Sequence, residues 1–190
     1  MEPSTRHVRP AQPIDGAIAS VLLYSAYTHT HVTYPLQASD DNGFVTHLQQ
    51  YASEVENRFS YQQIMLADVG SQVVGLVLSF GGRDEARLNA AIGNWLTQEA
   101  KADEWYIDAL AVLSSWGHQG IGTRLLQEAE SQARQHHYLR MALNVDQNNT
   151  EAISLYTRCH YLPTQQTLLY QRPHIRMEKS LNDYAPFEGF

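Results

Sequence analysis

The chain has 190 residues, 43% of them hydrophobic and 17% charged, which fits one globular domain with a substantial core and excludes a disordered chain. A formal net charge of −7 argues against nucleic-acid binding, which needs a basic face, and mildly favours a cationic partner such as an amine. Met1 to Pro13 is polar with no secretory apolar stretch, no run approaches the ~18 apolar residues of a membrane span, and the lone Cys159 excludes an intrachain disulfide, so a cytoplasmic location is expected.

Thr5 to Val8 reads as a short strand closed by Pro10. Ile14, Ala17, Ile18, Val21 and Leu22 then recur at helical spacing beside the start signals Pro13 and Asp15. Thr28 to Asp41 reads as loop, and a second helix is expected from Asn42, with Phe44, Val45, Leu48, Tyr51 and Ala52 on one face. Ile64 to Val69 and Val73 to Phe80, parted by Gly70-Ser71, have the pattern of an antiparallel hairpin. Arg83 to Ala102 carries Leu88, Ala91, Ile92, Trp95 and Leu96 at helical spacing, which predicts an amphipathic helix. Trp105 to Leu113 is a nearly continuous apolar run, as in a strand covered on both faces, interrupted by Asp108.

Ile121, Leu125, Leu126, Ala129 and Ala133 line one face of a helix expected over Gly122 to His137. Leu139 to Val145 alternates strictly, as a strand does. Asn148 with Glu151 reads as a capping box for a helix carrying Ala152, Leu155, Tyr156 and Cys159. Leu168 to Tyr170 and Ile175 to Leu181 read as a final strand pair around Arg172-Pro173. With no internal repeat or linker, one α/β domain over residues 1–181 is expected, with 182–190 as a loosely held tail.

Between the apolar strand and the following helix lies Gly117-His118-Gln119-Gly120-Ile121-Gly122. A helix N-terminus has unpaired N–H groups and about half a positive charge, so a glycine loop there suits a phosphate, and Thr123 adds a hydroxyl donor. Alone, the loop is equally well a turn before an amphipathic helix. A dinucleotide fingerprint would need a glycine where Leu125 stands and an acidic residue about 20 positions on, where Arg140 stands. A nucleotide P-loop would need Lys and Ser or Thr where Thr123-Arg124 follows the loop.

In the order hairpin, apolar strand, glycine loop, helix, strand and tyrosine-bearing helix, the sequence resembles the GNAT superfamily of acyl-CoA-dependent N-acetyltransferases. The resemblance opens at His7-Val8-Arg9-Pro10-Ala11-Gln12-Pro13-Ile14-Asp15. It is densest in Tyr106-Ile107-Asp108-Ala109-Leu110-Ala111-Val112 and Gly120-Ile121-Gly122-Thr123-Arg124-Leu125-Leu126. It continues through Val145, Asn149, Ala152, Leu155 and Tyr156, and closes in Met177-Glu178-Lys179-Ser180-Leu181. Gly117 stands where the family usually has Arg or Gln, His160-Tyr161 replaces a usual Gly-Phe, and the 83–102 segment lengthens a short connection. The implied fold is a single α/β GNAT-like domain: a mixed, mostly antiparallel central sheet, helices on both faces, and strands splayed at the cofactor site.

The resemblance also implies acetyl-CoA as cosubstrate, an amine of a small molecule or peptide as acceptor, and no metal. Leu110, Ala111 and Val112 would pair with the pantetheine arm, and Gly117, His118, Gln119, Gly120, Ile121, Gly122 and Thr123 would hold the pyrophosphate. Asn149 would bond the cofactor and Tyr156 would protonate the departing thiolate; without the resemblance, Tyr156 reads as a core tyrosine. His118 beside the pyrophosphate would replace charge lost at Gly117.

The acceptor must attack as a neutral amine. Deprotonation at pH 7 costs about 4.6 kcal/mol for a lysine-like amine but only about 1 kcal/mol for an α-amino group. The family's glutamates fall at Tyr106 or Asn144, neither a carboxylate here, so Asp108 or Glu104 is the expected base, directly or through water. Both lie on one strand face with Tyr106, and Asp108 interrupts an apolar run where burial would raise its pKa. A purely structural Asp108 is an equal alternative. His29-Thr30-His31 and His136-His137 lack a third ligand at metal spacing and are expected to be solvated. The competing function is a non-catalytic acyl-CoA-binding sensor or interaction module, and the early helices and the 83–102 segment would shape the acceptor site or a homodimer contact.

Overall fold

Period-two alternation in the strands sorts side chains onto two faces of one sheet, and each face finds its own helices. The computed structural model describes residues 6–29, 41–93 and 96–182; of the loop expected over Thr28 to Asp41, Thr28 and His29 end one helix and Asp41 begins the next, and residues 30–40, Trp95 and the tail beyond 182 lie outside the described ones. Seven strands are β1 (Arg6–Pro10), β2 (Ile64–Val69), β3 (Gln72–Gly81), β4 (Trp105–Val112), β5 (Arg140–Asp146), β6 (Leu162–Leu169) and β7 (Arg172–Ser180). They lie in the order β1-β2-β3-β4-β5-β7-β6, every neighbouring pair antiparallel except the parallel β4/β5. The helices are α1 (Gly16–His29), α2 (Asp41–Ser53), α3 (Glu85–Ala90), α4 (Ile121–Gln135) and α5 (Thr150–Arg158).

Leu66, Leu76, Leu78, Tyr106 and Ala142 face Leu22 and Leu23 of α1, Leu48 of α2 and Leu88 of α3. The alternate residues Met65, Val77, Ile107, Leu143 and Val145 face Leu125, Leu126, Ala129 and Ala133 of α4 and Tyr156 of α5. Each fully buried leucine contributes about 1.5–3 kcal/mol of apolar transfer, so both layers are firmly attached. The mixed sheet with helices on both faces is the architecture the sequence implied.

Four expectations are corrected. Ile14 sits in a 3-10 turn and is 86% exposed, and the buried stripe of α1 is Ala19, Leu22, Leu23 and Tyr27. The helix is apolar on nearly every side, so periodicity alone did not single out that stripe. The predicted 83–102 helix stops at Ala90: Gly93 takes φ 92, and the Glu85 carboxylate captures the amides of Glu99 and Ala100 as the chain turns back. The cap of α5 is Asn149, whose Oδ1 accepts from the Ala152 amide at 3.1 Å, one residue after the expected Asn148. Finally, β6 starts at Leu162 and not at Leu168. Most of this edge strand is exposed, so it has no apolar alternation to read, and its backbone pairing with β7 defines it.

One turn aims α5. Asp146 at the end of β5 accepts the Asn148 amide (2.8 Å) on one oxygen and Arg172 Nε (3.1 Å) on the other. Burial alone would raise this carboxyl, but the Asn148 amide and Arg172 outweigh it and hold it below the usual aspartate range. A depressed folded-state pKa contributes stability above the unfolded value, about 3.9, and that contribution disappears as pH falls through the folded value. Asp146→Asn is therefore expected to lower the melting temperature at pH 7, with the gap to wild type closing below about pH 4. A gap that persists in acid would show that the ion pair and turn are not its source.

Candidate active site

Among the described residues one strand pairing is parallel, and it is brief. Trp105, Tyr106 and Ile107 pair with Met141, Ala142 and Leu143, after which β4 continues against β3 and β5 against β7. The register between β3 and β4 shifts at this point: Ser79 opposes Ile107 and Leu78 opposes Ala109, so Asp108 is the extra residue of a bulge. From Asp108 to Val112 the β5-facing edge of β4 has no strand partner among the described residues. The expected splay is present, and Leu110, Ala111 and Val112 lie along its free edge.

A cavity of about 90 Å³ lies in the parting, with Asp108, Leu110, Asn144, Asn149 and Tyr156 among its walls. Tyr156 is 7% exposed, and its hydroxyl takes no hydrogen bond from the described residues. Burial, with a smaller effect from Cys159, raises its phenol well above the ordinary value, so it holds its proton throughout the neutral range. Asn149 spends its Oδ1 on capping α5, which leaves the Nδ2 donors for a ligand.

The glycine loop ends beside this cleft. Gly120 caps α4 with φ 79, a left-handed conformation that favours glycine. The first intrahelical bond of α4 runs from the Arg124 amide to Gly120 O at 3.1 Å, so the amides of Ile121, Gly122 and Thr123 have no acceptor within the helix. A Cβ on Gly122 would lie 3.0 Å from Leu155 Cδ2, and the absence of one lets the first turn of α4 pack close to α5. Gly117 differs from the rest: its amide already donates to Ser114 O at 3.1 Å, so it shapes the loop. His118 has φ 58 and projects outward, its Nε2 3.6 Å from Glu151 on α5.

The two carboxylates expected near the acceptor are not brought together. Asp108 reaches the cavity wall, but Arg58 Nε and Nη2 engage both its oxygens, and the Tyr27 hydroxyl donates to Oδ2 at 2.8 Å. Glu104 precedes β4, is fully buried, and is held through both oxygens by Arg176. It lies outside the cavity lining.

Sequence reasoning missed Arg58, Glu99 and Tyr170. Glu99 Oε2 accepts from the Tyr106 hydroxyl at 2.6 Å, and Oε1 accepts from Arg58 Nη2 (3.1 Å) and the Tyr170 hydroxyl (3.2 Å). Asn144 Nδ2 in turn donates to Tyr106 at 2.9 Å. Burial, then the neighbouring Glu99 charge, raises both tyrosines above the ordinary range and keeps them as donors. Glu99 lay in a segment read as helix, and Arg58 is a lone arginine with no motif around it, so no spacing revealed either. The histidine expectation holds in part: His136 stacks on Trp105 at 5.2 Å, and His31 lies outside the described residues.

A parted parallel strand pair beside an open helix start leaves backbone donors and acceptors free for an extended, anionic ligand. Residues 23–161 match the model of the acetyltransferase (GNAT) family, and the chain belongs to that family. A search of curated proteins gave no match. An N-acetyltransferase from Staphylococcus aureus Mu50 is 24% identical, with TM-score 0.80 over 91% of this chain and 100% of its own. A PaiA N-acetyltransferase from Thermoplasma acidophilum, solved with coenzyme A, is 14% identical, with TM-score 0.61 over 93% and 99%. The ribosomal-protein-S18-alanine N-acetyltransferase from Escherichia coli is 13% identical, with TM-score 0.61 over 98% and 100%. At these identities the likeness is one of fold.

The left-handed cap is the most local test of the loop. Gly120→Ala meets no neighbouring atom but must adopt φ 79, at a cost of about 1–2 kcal/mol. A lowered melting temperature and weaker CoA binding by calorimetry are expected; unchanged values for both would show that the loop does not need this conformation.

Proposed function

We propose that the protein transfers the acetyl group of acetyl-CoA to a primary amine of a small molecule or peptide. The observation that carries the reading is the hydroxyl of buried Tyr156, without a partner among the described residues, in the cavity where β4 and β5 part. The amides of Gly120 to Thr123 receive the pyrophosphate, a role that helix-start N–H groups suit. Loop residues Gly117, His118 and Gln119 frame it, and protonated His118 adds charge that Gly117 cannot. The pantetheine arm pairs as an added strand with the free edge at Leu110, Ala111 and Val112, and Asn149 Nδ2 bonds the cofactor from the start of α5.

The amine nitrogen then attacks the thioester carbon, the C–S bond breaks, and the sulfur leaves as a thiolate. Tyr156 gives this thiolate its proton. Burial makes the phenol a weaker acid, and the same burial disfavours the bare thiolate, so the transfer stays near balance. The surplus proton of the amine leaves through water, and water returns a proton to the Tyr156 phenolate, which restores the acid for the next cycle. Asp108 orients that water from the cavity wall while bound to Arg58, and Glu104 supports the entry to β4 through its pair with Arg176.

Tyr156→Phe is expected to lower acceptor-dependent thiol release by about 10²–10⁴-fold, the range for a lost general acid, with acetyl-CoA affinity unchanged. Wild-type turnover in this variant would remove Tyr156 from the mechanism. Tight acetyl-CoA binding by the wild type with no thiol release for any amine would assign the chain to the sensor reading.

A further inference from the structure

The site carries more negative charge than its own residues neutralise. Buried Arg58 is surrounded by Glu85, Glu99 and Asp108, one positive charge against three negative. No other lysine or arginine pairs with these carboxylates among the described residues, and segments 30–40, 94–95 and 183–190 contain neither residue type. Uncompensated charge in a buried place is costly unless something pairs with it.

The three carboxylates are used differently. Glu85 faces inward, and its oxygens accept from Arg58 and from the amides of Glu99 and Ala100. Glu99 and Asp108 both line the cavity. Glu99 Oε2 accepts a single bond, from Tyr106, and Asp108 Oδ1 a single bond, from Arg58, whereas a carboxylate oxygen can accept two. Two further observations point to a ligand. The Tyr156 hydroxyl faces the same cavity without a partner among the described residues, and Asn144 Oδ1 is buried there with no donor. Excess negative charge, open acceptor positions and an orphaned carbonyl oxygen together fit a cation rich in N–H donors.

An ammonium held against Glu99 has its positive form stabilised, which makes that nitrogen a poor nucleophile. The nitrogen bound at Glu99 is therefore a different one from the nitrogen that attacks. We propose that Glu99 binds a second, non-reacting ammonium group, so that the acceptor is a diamine: one nitrogen is anchored as a cation and the other is presented, neutral, at the thioester. The anchored charge assists the second nitrogen, because a like charge nearby favours its neutral form. Glu99 is then the specificity residue of the site. This rests on the acetyl-transfer reading.

The test pairs 1,4-diaminobutane with n-pentylamine, which replaces the distal ammonium by a methyl group. In wild type, kcat/KM is expected to favour the diamine by at least about tenfold, typical of a buried charge pair. In Glu99→Gln the preference should collapse through a rise in diamine KM, while acetyl-CoA affinity stays unchanged; Glu99→Asp should retain part of it. Should Glu99→Gln fail to fold, the partial loss in Glu99→Asp carries the test. A wild type without diamine preference, or a Glu99→Gln enzyme that keeps it, overturns the proposal. If no amine is acetylated, the acetyl-transfer reading fails on its own. Calorimetric binding of 1,4-diaminobutane then decides the anchor site: about tenfold weakening in Glu99→Gln supports it, and equal binding overturns it.

Discussion

The structure turns on where two strands stop pairing. Three residues of β4 lie against β5, and then the strands separate. Asp108 stands at the point of divergence as the extra residue of the bulge, and its side chain is claimed by Arg58 and Tyr27 from outside the strand. A bulge shifts the strand's residue parity and bends it, so β4 leaves β5 with a free edge. The free edge, the cavity behind it and the approach of α4 and α5 all follow. Had β4 and β5 paired throughout, neither the edge nor the cavity would exist.

Arg58 links that bulge to the neighbouring wall of the cavity. It joins the chain before β2 to α3 through Glu85, to the turn before β4 through Glu99, and to β4 through Asp108. Buried ion pairs of this kind add little net stability compared with an apolar core, yet losing one partner is expensive. Their effect here is positional, since they fix three separate segments at one wall of the cavity. Arg176 does similar work a few residues upstream, where it ties β7 to Glu104 and also pairs with Glu178 of its own strand. Burial disfavours its charge, but the two carboxylates raise it above the usual value.

Much of this was legible in the sequence, and what was missed follows from physical causes. Strands β2 to β5 and helix α4 were readable because each buries one face against a partner, which imposes a period on the residues. The glycine loop was readable because its φ and close-packing demands select glycine. The motif departure at His160-Tyr161 also becomes clear: His160 takes φ 67, the left-handed position a glycine would fill, and buried Tyr161 donates to Glu130. By contrast, α1 offered several apolar stripes, β6 had no buried face, and the 83–102 segment kept a helical period across a chain reversal imposed by Glu85. Arg58, Glu99 and Tyr170 act through contacts between distant segments, which leave no spacing to detect. Asp108 was singled out correctly as an anomaly in an apolar strand, but its carboxylate is engaged by Arg58 and not held free.

The central claim is that the parted edge of β4 and the open start of α4 form one acyl-CoA cleft. Amide hydrogen exchange with and without acetyl-CoA tests this directly. The account predicts new protection at the amides of Leu110 and Val112, which face the free edge while the Ala111 amide faces β3, and at Gly120 to Thr123, the first from added-strand pairing and the second from the pyrophosphate. Binding with protection elsewhere and none at these two segments would contradict it.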